Sequence, residues 1–250
     1  MTVVLVHGNP ETPAVWDLLV PHLDRAPVVR LAPPGFGAPV PEGFGATVLE
    51  YRDWLIRELE PIVAADGPVD LVGHDWGGGH VVNVATARPD LLRSWVSDVV
   101  GIFDPDYVWH ELAQAWQQPG VGEQAVAGML AAGPAARAER LSGFGMAAPV
   151  AERIAAAFDE PMTDSILRLY RSAAQPVMAE LGKDLEKAAA RPGLALVPSE
   201  DHMVGTEEQR HRAAARAGAR VEVLAGLGHW WMTQDPERGA AVLDRFWAEV

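Results

Sequence analysis

The chain has 250 residues, no cysteine, and 20 basic against 34 acidic residues, so its formal net charge is −14. This length suits one domain or one domain with a large insertion, and the missing cysteines exclude disulfides and thiolate chemistry. A surface this acidic repels nucleic acid and anionic membranes, so we expect neither as a partner. We see no apolar run of the roughly 20 residues that cross a bilayer and no signal peptide. We therefore expect a cytoplasmic protein that acts on a small, neutral, hydrophobic substrate.

Short apolar runs alternate with longer helical patterns along most of the chain. The predicted strands are Thr2–Val6, Pro27–Leu31, Val69–Gly73, Trp95–Ile102, Leu194–Pro198 and Val221–Leu224. The predicted helices are Ala14–Leu23, Thr47–Ala64, Trp76–Ala87, Glu207–Ala217 and Pro236–Glu249. Thr47 and Glu50 have the spacing of a capping box. The alternation predicts an α/β fold with a mostly parallel sheet flanked by helices.

One long segment, from Phe103 to about Ala190, breaks this alternation. It shows no clear strand pattern, is rich in alanine, and carries regularly spaced leucine, isoleucine, methionine and tryptophan. Such content favours packed helices over a structureless linker. We therefore predict a core formed by residues 1–103 and 191–250, with a helical cap, residues 104–190, inserted after the fourth strand.

The stretch Gly73-His74-Asp75-Trp76-Gly77 lies between a predicted strand and a predicted helix. Glycines on both sides permit a tight, strained turn that exposes the central side chain. The helix N-terminus directs backbone N–H groups towards negative charge at that position. The motif alone could also mark a turn with a helix-capping aspartate. Its place between a strand and a helix favours Asp75 as a nucleophile.

Four motifs in order along the chain carry a family resemblance. They are His7-Gly8-Asn9-Pro10, Pro34-Gly35-Phe36-Gly37, Gly73 to Gly78, and Gly228-His229-Trp230. Together they resemble the α/β-hydrolase superfamily, and more narrowly its epoxide hydrolase and haloalkane dehalogenase branch. The resemblance implies two further strands before the one at Thr2, which we expect to be missing here. Pro27–Leu31 should then lie at or near a sheet edge, where an open edge can pair with a second chain as a homodimer.

The resemblance also implies a catalytic triad. Asp75 would be the nucleophile, His229 the base, and Asp201, after the fifth strand, the acid that orients His229. The alternative acids are its neighbour Glu200 and, after the fourth strand, Asp104 and Asp106.

An aspartate at the nucleophile position suits particular chemistry. A carboxylate is already ionised and can displace a leaving group from an alkyl carbon, which forms an ester of Asp75. Water activated by His229 then attacks that ester, and the backbone N–H groups of Asn9 and Trp76 would stabilise the oxyanion. The nucleophile therefore indicates epoxides or alkyl halides as substrates.

The leaving group separates these two reactions. In epoxide hydrolases two cap tyrosines donate protons to the oxirane oxygen; Tyr170 resembles the second, whereas the position of the first falls on Leu112. Tyr107 or His110 could replace the first. A halide would instead be held by the side chains of Asn9 and Trp76.

We favour an epoxide hydrolase. A haloalkane dehalogenase is the alternative, and a non-catalytic or atypical hydrolase-fold protein is the second alternative. The histidines show no metal-binding spacing, no G-x-G-x-x-G motif follows a strand, and Gly77-Gly78-Gly79 belongs to the elbow helix, so we expect neither a metal nor a cofactor.

Overall fold

The computed structural model describes residues 1–250, and its six strands form a single parallel sheet in the order β2-β1-β3-β4-β5-β6. The strands are β1 (Val3–Val6), β2 (Val28–Leu31), β3 (Val69–Gly73), β4 (Leu92–Ser97), β5 (Gly193–Pro198) and β6 (Ala219–Leu224). The strand order reverses at β1, which has β2 on one side and β3 on the other. Open α/β sheets bind ligands beyond the carboxyl ends of their strands at such a reversal.

Helices flank both faces of this sheet. Those of the core are α1 (Val48–Asp66), α2 (Trp76–Ala87), α9 (Glu207–Arg216), α10 (Trp231–Gln234) and α11 (Pro236–Ala248). Thr47 and Glu50 form the expected capping box at the start of α1. The fold predicted from the sequence is therefore confirmed.

The residues of β1 show why the central strands are apolar throughout. Val4 and Val6 belong to a cluster of 43 buried residues that includes side chains from α1, α2 and α9. Val3 and Leu5 belong to a second cluster, of 22 buried residues, that includes side chains from α10 and α11. A strand buried on both faces cannot alternate apolar with polar residues.

Between β4 and β5 the chain forms helices and no strand. They are α3 (Glu111–Gln117), α4 (Val121–Ala131), α5 (Gly133–Gly143), α6 (Ala148–Ala156), α7 (Glu160–Ser172) and α8 (Val177–Leu181), followed by a 3-10 helix over Gly182–Ala190. We call residues 104–190 the helical segment. It contributes Trp109, Met162 and Ile166 to the larger cluster and Val150 and Ile154 to the smaller one.

Two predicted elements were wrong in detail. The helix expected over Ala14–Leu23 is a pair of short 3-10 helices, Pro13–Trp16 and Val20–His22, because Pro21 has no N–H to continue an α-helix. The strand expected over Trp95–Ile102 is Leu92–Ser97, and Val100–Phe103 forms a 3-10 helix. There Gly101 approaches the Val204 carbonyl so closely that a Cβ would lie 2.5 Å from that oxygen.

The strand expected at the sheet edge is indeed an edge strand. β2 pairs only with β1, and three of its four residues are half-buried while Arg30 is exposed. None of the helices combines the length and apolarity that a bilayer crossing requires.

Candidate active site

Asp75 lies in a strained turn between β3 and α2. Its backbone has φ +50° and ψ −129°, a conformation that residues other than glycine rarely adopt. The turn is tight enough that a Cβ on Gly77 would lie 2.1 Å from the Val6 carbonyl oxygen. The Asp75 N–H donates to Oδ1 of Asp98 at 3.0 Å, and this hydrogen bond stabilises the turn. These contacts present the Asp75 side chain at the carboxyl end of the sheet.

The Asp75 carboxylate contacts the loop after β1. Its Oδ1 accepts a hydrogen bond from the Asn9 N–H at 2.7 Å. A Cβ at Gly8 would lie 2.0 Å from the same oxygen, so this approach requires glycine. Burial raises the pKa of Asp75 to about 6, although the positive charge of His229 and the Asn9 N–H both act to lower it. Trp76 lies in the first turn of α2, where backbone N–H groups have no intrahelical partner.

His229 lies between two carboxylates. Its Nδ1 is 2.8 Å from Oδ2 of Asp201, and its Nε2 is 3.7 Å from Oδ2 of Asp75. Because Asp201 is an acceptor, Nδ1 carries the shared proton and Nε2 faces Asp75. Burial opposes ionisation of both groups, but their mutual attraction lowers the pKa of Asp201 and raises that of His229. The structure thus brings Asp75, His229 and Asp201 together.

The alternative acids lie elsewhere. Glu200 is exposed, and its carboxylate accepts a hydrogen bond from the Ser199 hydroxyl. Asp104 receives two hydrogen bonds from the Arg212 guanidinium, at 2.7 and 2.8 Å, and Asp106 receives a third at 2.9 Å. Asp201 is therefore the acid that contacts His229.

A second buried network lies beneath the nucleophile, and sequence reasoning missed it. His74 Nδ1 is 2.5 Å from Oδ2 of Asp98, and His74 Nε2 is 3.1 Å from Oε1 of Glu11. The indoles of Trp231 and Trp230 donate to the same two carboxylate oxygens, at 2.7 and 2.6 Å respectively. The clue available in the sequence was the histidine next to Asp75 together with the tryptophans that follow His229.

This network holds a protonated histidine between two carboxylates near the nucleophile. Burial alone would lower the pKa of His74, but the carboxylates of Glu11 and Asp98 outweigh it and raise that pKa well above its ordinary value. Protonated His74 lowers the pKa of His229. Within this network Glu11 raises the pKa of Asp75, and His74 opposes that increase. Glu11, His74 and His229 place ligand-type atoms within 4.8 Å of one another, yet both His74 nitrogens are already hydrogen-bonded to carboxylates.

A cavity of about 530 Å³ opens above Asp75 and His229. Of its 29 lining residues, 20 are hydrophobic, so it suits a molecule with an apolar body. The helical segment supplies much of the wall, including Trp116 of α3, Met129 of α4 and Leu141 of α5.

Tyr170 of α7 lies in this cavity beside Trp76, with ring centroids 5.4 Å apart. Burial and the nearby charge of Asp75 raise its pKa, while the polar groups of Trp76 and Asn9 oppose that increase. The Asn9 amide is buried, and neither its nitrogen nor its oxygen forms a hydrogen bond of standard geometry. Tyr170, Trp76 and Asn9 therefore converge on one side of Asp75.

The remaining candidate donors differ from Tyr170. The Tyr107 hydroxyl donates to the Met203 carbonyl at 2.9 Å, so its proton is already engaged. His110 Nδ1 accepts from the Ala113 N–H at 3.2 Å, which leaves the proton on Nε2. Burial lowers the pKa of His110, so it is neutral near pH 7 and a weak donor. Both residues line the cavity, as does Leu112.

Comparison with known proteins agrees with this architecture. Residues 3–242 match the model of the alpha/beta hydrolase family. The chain belongs to that family. Among solved structures, a haloalkane dehalogenase from Bradyrhizobium elkani superposes with a TM-score of 0.74 at 20% identity, covering all of this chain and 91% of that one. At this identity the likeness shows the alpha/beta hydrolase fold alone.

Curated relatives match over shorter stretches. A "probable oxidoreductase EphD" from Mycobacterium tuberculosis is 39% identical over 132 residues, which span 46% of this chain and 21% of that protein. A haloalkane dehalogenase from Mesorhizobium japonicum is 28% identical over 135 residues, which span 50% of this chain and 42% of the relative. The chain therefore matches less than half the length of each of these proteins.

Proposed function

We propose that this alpha/beta hydrolase is a cytoplasmic, cofactor-independent epoxide hydrolase with Asp75 as nucleophile, His229 as base and Asp201 as orienting acid. The observation that carries the proposal is Tyr170, whose hydroxyl lies in the same cavity as Asp75 and, unlike Tyr107, is not committed to a backbone carbonyl. An epoxide oxygen leaves as an alkoxide and must gain a proton, so a donor facing the nucleophile is required.

In the first half-reaction, an oxygen of Asp75 attacks an epoxide carbon and the ring C–O bond breaks. The new alkoxide takes the proton of Tyr170, which leaves an Asp75 ester and a Tyr170 phenolate. The carboxylate needs no activation for this displacement, because it is ionised above its pKa of about 6. Neutral His110 offers a second, weaker N–H donor in the same cavity.

In the second half-reaction, His229 Nε2 takes a proton from a water that attacks the ester carbonyl carbon. The 3.7 Å between His229 and Asp75 is longer than a hydrogen bond, and Nε2 faces the carboxyl group. The Asn9 N–H, already 2.7 Å from Asp75 Oδ1, and the Trp76 N–H stabilise the oxyanion. The tetrahedral intermediate then collapses, and the diol oxygen leaves with the proton held by His229. Asp75 is regenerated as the acid, and its proton returns to the Tyr170 phenolate through solvent.

Covalent trapping tests this scheme. In the His229→Gln variant, water is not activated, so styrene oxide should leave an adduct of one substrate mass on the peptide that contains Asp75. The matched control is His211→Gln, which replaces an exposed histidine of α9 outside the cavity and should turn over without accumulating the adduct. Diol formation without any Asp75 adduct in His229→Gln would contradict the covalent route. The absence of both diol and adduct over a panel of epoxides would favour a non-catalytic protein.

Dehalogenation is the second candidate, favoured by the buried Asn9 amide, which forms no hydrogen bond of standard geometry. A halide needs no proton, only N–H donors, and the side chains of Asn9 and Trp76 offer two. If epoxide hydrolysis is correct, Tyr170→Phe should lower diol formation by about 10²-fold or more, whereas Asn9→Ala should change it little because the backbone N–H remains. The reverse order, with bromide release from bromoalkanes lost in Asn9→Ala and retained in Tyr170→Phe, would identify a dehalogenase.

We further propose that residues 104–190 act as a cap over a core of residues 1–103 and 191–250, and that the open edge of β2 pairs with a second copy of the chain. The dimer proposal is supported by the position of β2, which pairs with β1 alone and leaves its other side open. Light scattering coupled to size-exclusion chromatography should then give twice the chain mass. An Arg30→Pro variant should weaken that dimer, because it removes an N–H that faces away from β1, as the Val3↔Val28 register shows.

A further inference from the structure

Two arginines line the cavity wall that α5 contributes, and they are used differently. The Arg137 guanidinium donates to the carbonyls of Met129, Leu130 and Ala155 at 2.9 to 3.2 Å, which ties the ends of α4 and α6 to α5. Arg140, one helical turn later, forms no hydrogen bond or ion pair and lies over the Phe144 ring, with Cζ 5.7 Å from its centroid. The Arg137 guanidinium is thus engaged in structural hydrogen bonds, whereas the Arg140 guanidinium is free to bind a ligand.

An unpaired arginine is unusual in this chain. Acidic residues outnumber basic ones by 34 to 20, and most guanidinium groups contact a carboxylate or a carbonyl. Besides Arg140, only Arg57 and Arg168 lack such a partner, and neither lines the cavity. Among the cavity's charged groups, Asp75 and His229 face each other and Arg137 is bound to carbonyls. The charge of Arg140 is therefore the uncompensated one.

Arg140 marks the outer end of the cavity. Arg140 is exposed and 54% of Phe144 is exposed, whereas the Asp75 side chain at the floor is only 15% exposed. Most of the other lining residues are apolar, and Met129 and Leu141 are among them. A molecule that spans the cavity would therefore have its reacting carbon at Asp75, an apolar body, and its far end at a guanidinium.

We propose that Arg140 binds a carboxylate at the far end of the substrate, so that the enzyme acts on amphipathic monocarboxylic acids whose reactive carbon is remote from the acid group. This inference rests on the proposed function, and it replaces the expectation of a wholly neutral substrate. The planar guanidinium fork matches a carboxylate with two parallel hydrogen bonds. A single free arginine suits a monoanion, since a phosphate dianion would need further donors in a protein whose net charge is −14.

The kinetic test compares the terminal epoxide of a medium-chain carboxylic acid with its methyl ester. Arg140→Gln should lower kcat/KM for the acid by about ten- to a hundredfold, mainly through KM, and leave the ester unchanged. Arg140→Lys should restore part of the loss. The matched control is Arg57→Gln, which removes an exposed, unpaired charge outside the cavity and should affect neither substrate. Equal losses for acid and ester would mean that Arg140 only supports the wall through Phe144.

A binding test separates this inference from the proposed reaction. In the Asp75→Asn background, calorimetry with the corresponding saturated carboxylate should show binding that Arg140→Gln weakens by at least tenfold, with no such change for the methyl ester. If no epoxide is opened but this difference in binding persists, the proposed reaction fails and the carboxylate site stands. If the carboxylate binds no better than its ester to protein with an intact Arg140, the carboxylate site is wrong.

Discussion

The carboxylates beneath Asp75 and two side chains of the cavity wall, Trp116 and Arg140, differ in how completely they are hydrogen-bonded. Asp98 accepts bonds from Asp75, His74 and Trp231, and Glu11 accepts bonds from Gly8, His74 and Trp230. In the helical segment the Trp116 indole N–H is buried without a partner, and Arg140 has neither a hydrogen bond nor an ion pair. The network beneath Asp75 holds its groups in one geometry, whereas Trp116 and Arg140, like the Asn9 amide after β1, remain free to meet a ligand.

The largest effect should come from the strand ends. Asp75→Ala removes the group that forms the covalent ester, so epoxide turnover should fall by about 10⁴-fold or more, the loss typical of a triad nucleophile. Diol formation by the purified variant measures this, with far-UV circular dichroism to show that the fold is retained. Residual activity within tenfold of the unmodified protein would place the nucleophile elsewhere.

Two tryptophans provide a matched pair for stability. Trp231→Phe and Trp116→Phe each replace a buried indole by a smaller phenyl ring. Only Trp231 donates a hydrogen bond, to Asp98 at 2.7 Å. Loss of that donor from a buried carboxylate should cost about 1 to 3 kcal/mol of unfolding free energy beyond the cost of the smaller ring. Urea unfolding of both variants gives the difference. Equal destabilisation would show that the network beneath Asp75 contributes no more than packing.

The pH dependence should be a smaller effect with a defined sign. Burial raises the pKa of Asp75 to about 6, and only the ionised form attacks. The value of kcat/KM should therefore rise with pH through about 6 and fall by about tenfold per unit below it. Initial rates in mildly acidic to neutral buffers measure the profile. A profile that is flat down to the ordinary pKa of an aspartate would mean that the folded protein keeps Asp75 ionised more strongly than its burial implies.

The sequence predicts the fold and the elbow because both depend on local patterns. Apolar runs mark strands that are buried on both faces, and Gly77 is required by the close approach of the Val6 carbonyl. Asp201 and His229 follow predicted strands, so their meeting at one edge of a parallel sheet could be anticipated. Their catalytic roles remain predictions for experiment.

Other features depend on contacts that no local pattern reveals. His74 bonds to Glu11 across 63 positions, and Trp231 bonds to Asp98 across 133. The same holds for the hydroxyl of Tyr107, which points to the Met203 carbonyl, 96 positions away. The strand expected over Trp95–Ile102 ends early for a similar reason, since the approach of Gly101 to Val204 is a tertiary contact.

The helical segment shares both hydrophobic clusters with the sheet, since Trp109 and Met162 enter one and Val150 and Ile154 enter the other. Such a segment cannot unfold alone without exposing the interior of the core. Slow amide hydrogen exchange should therefore extend from the central strands into α6 and α7. This division matters for the evolution of substrate preference. Replacing side chains that line the cavity can change which substrate is bound. Replacing side chains of the same helices that pack on the core would lower the free energy of unfolding of the whole protein.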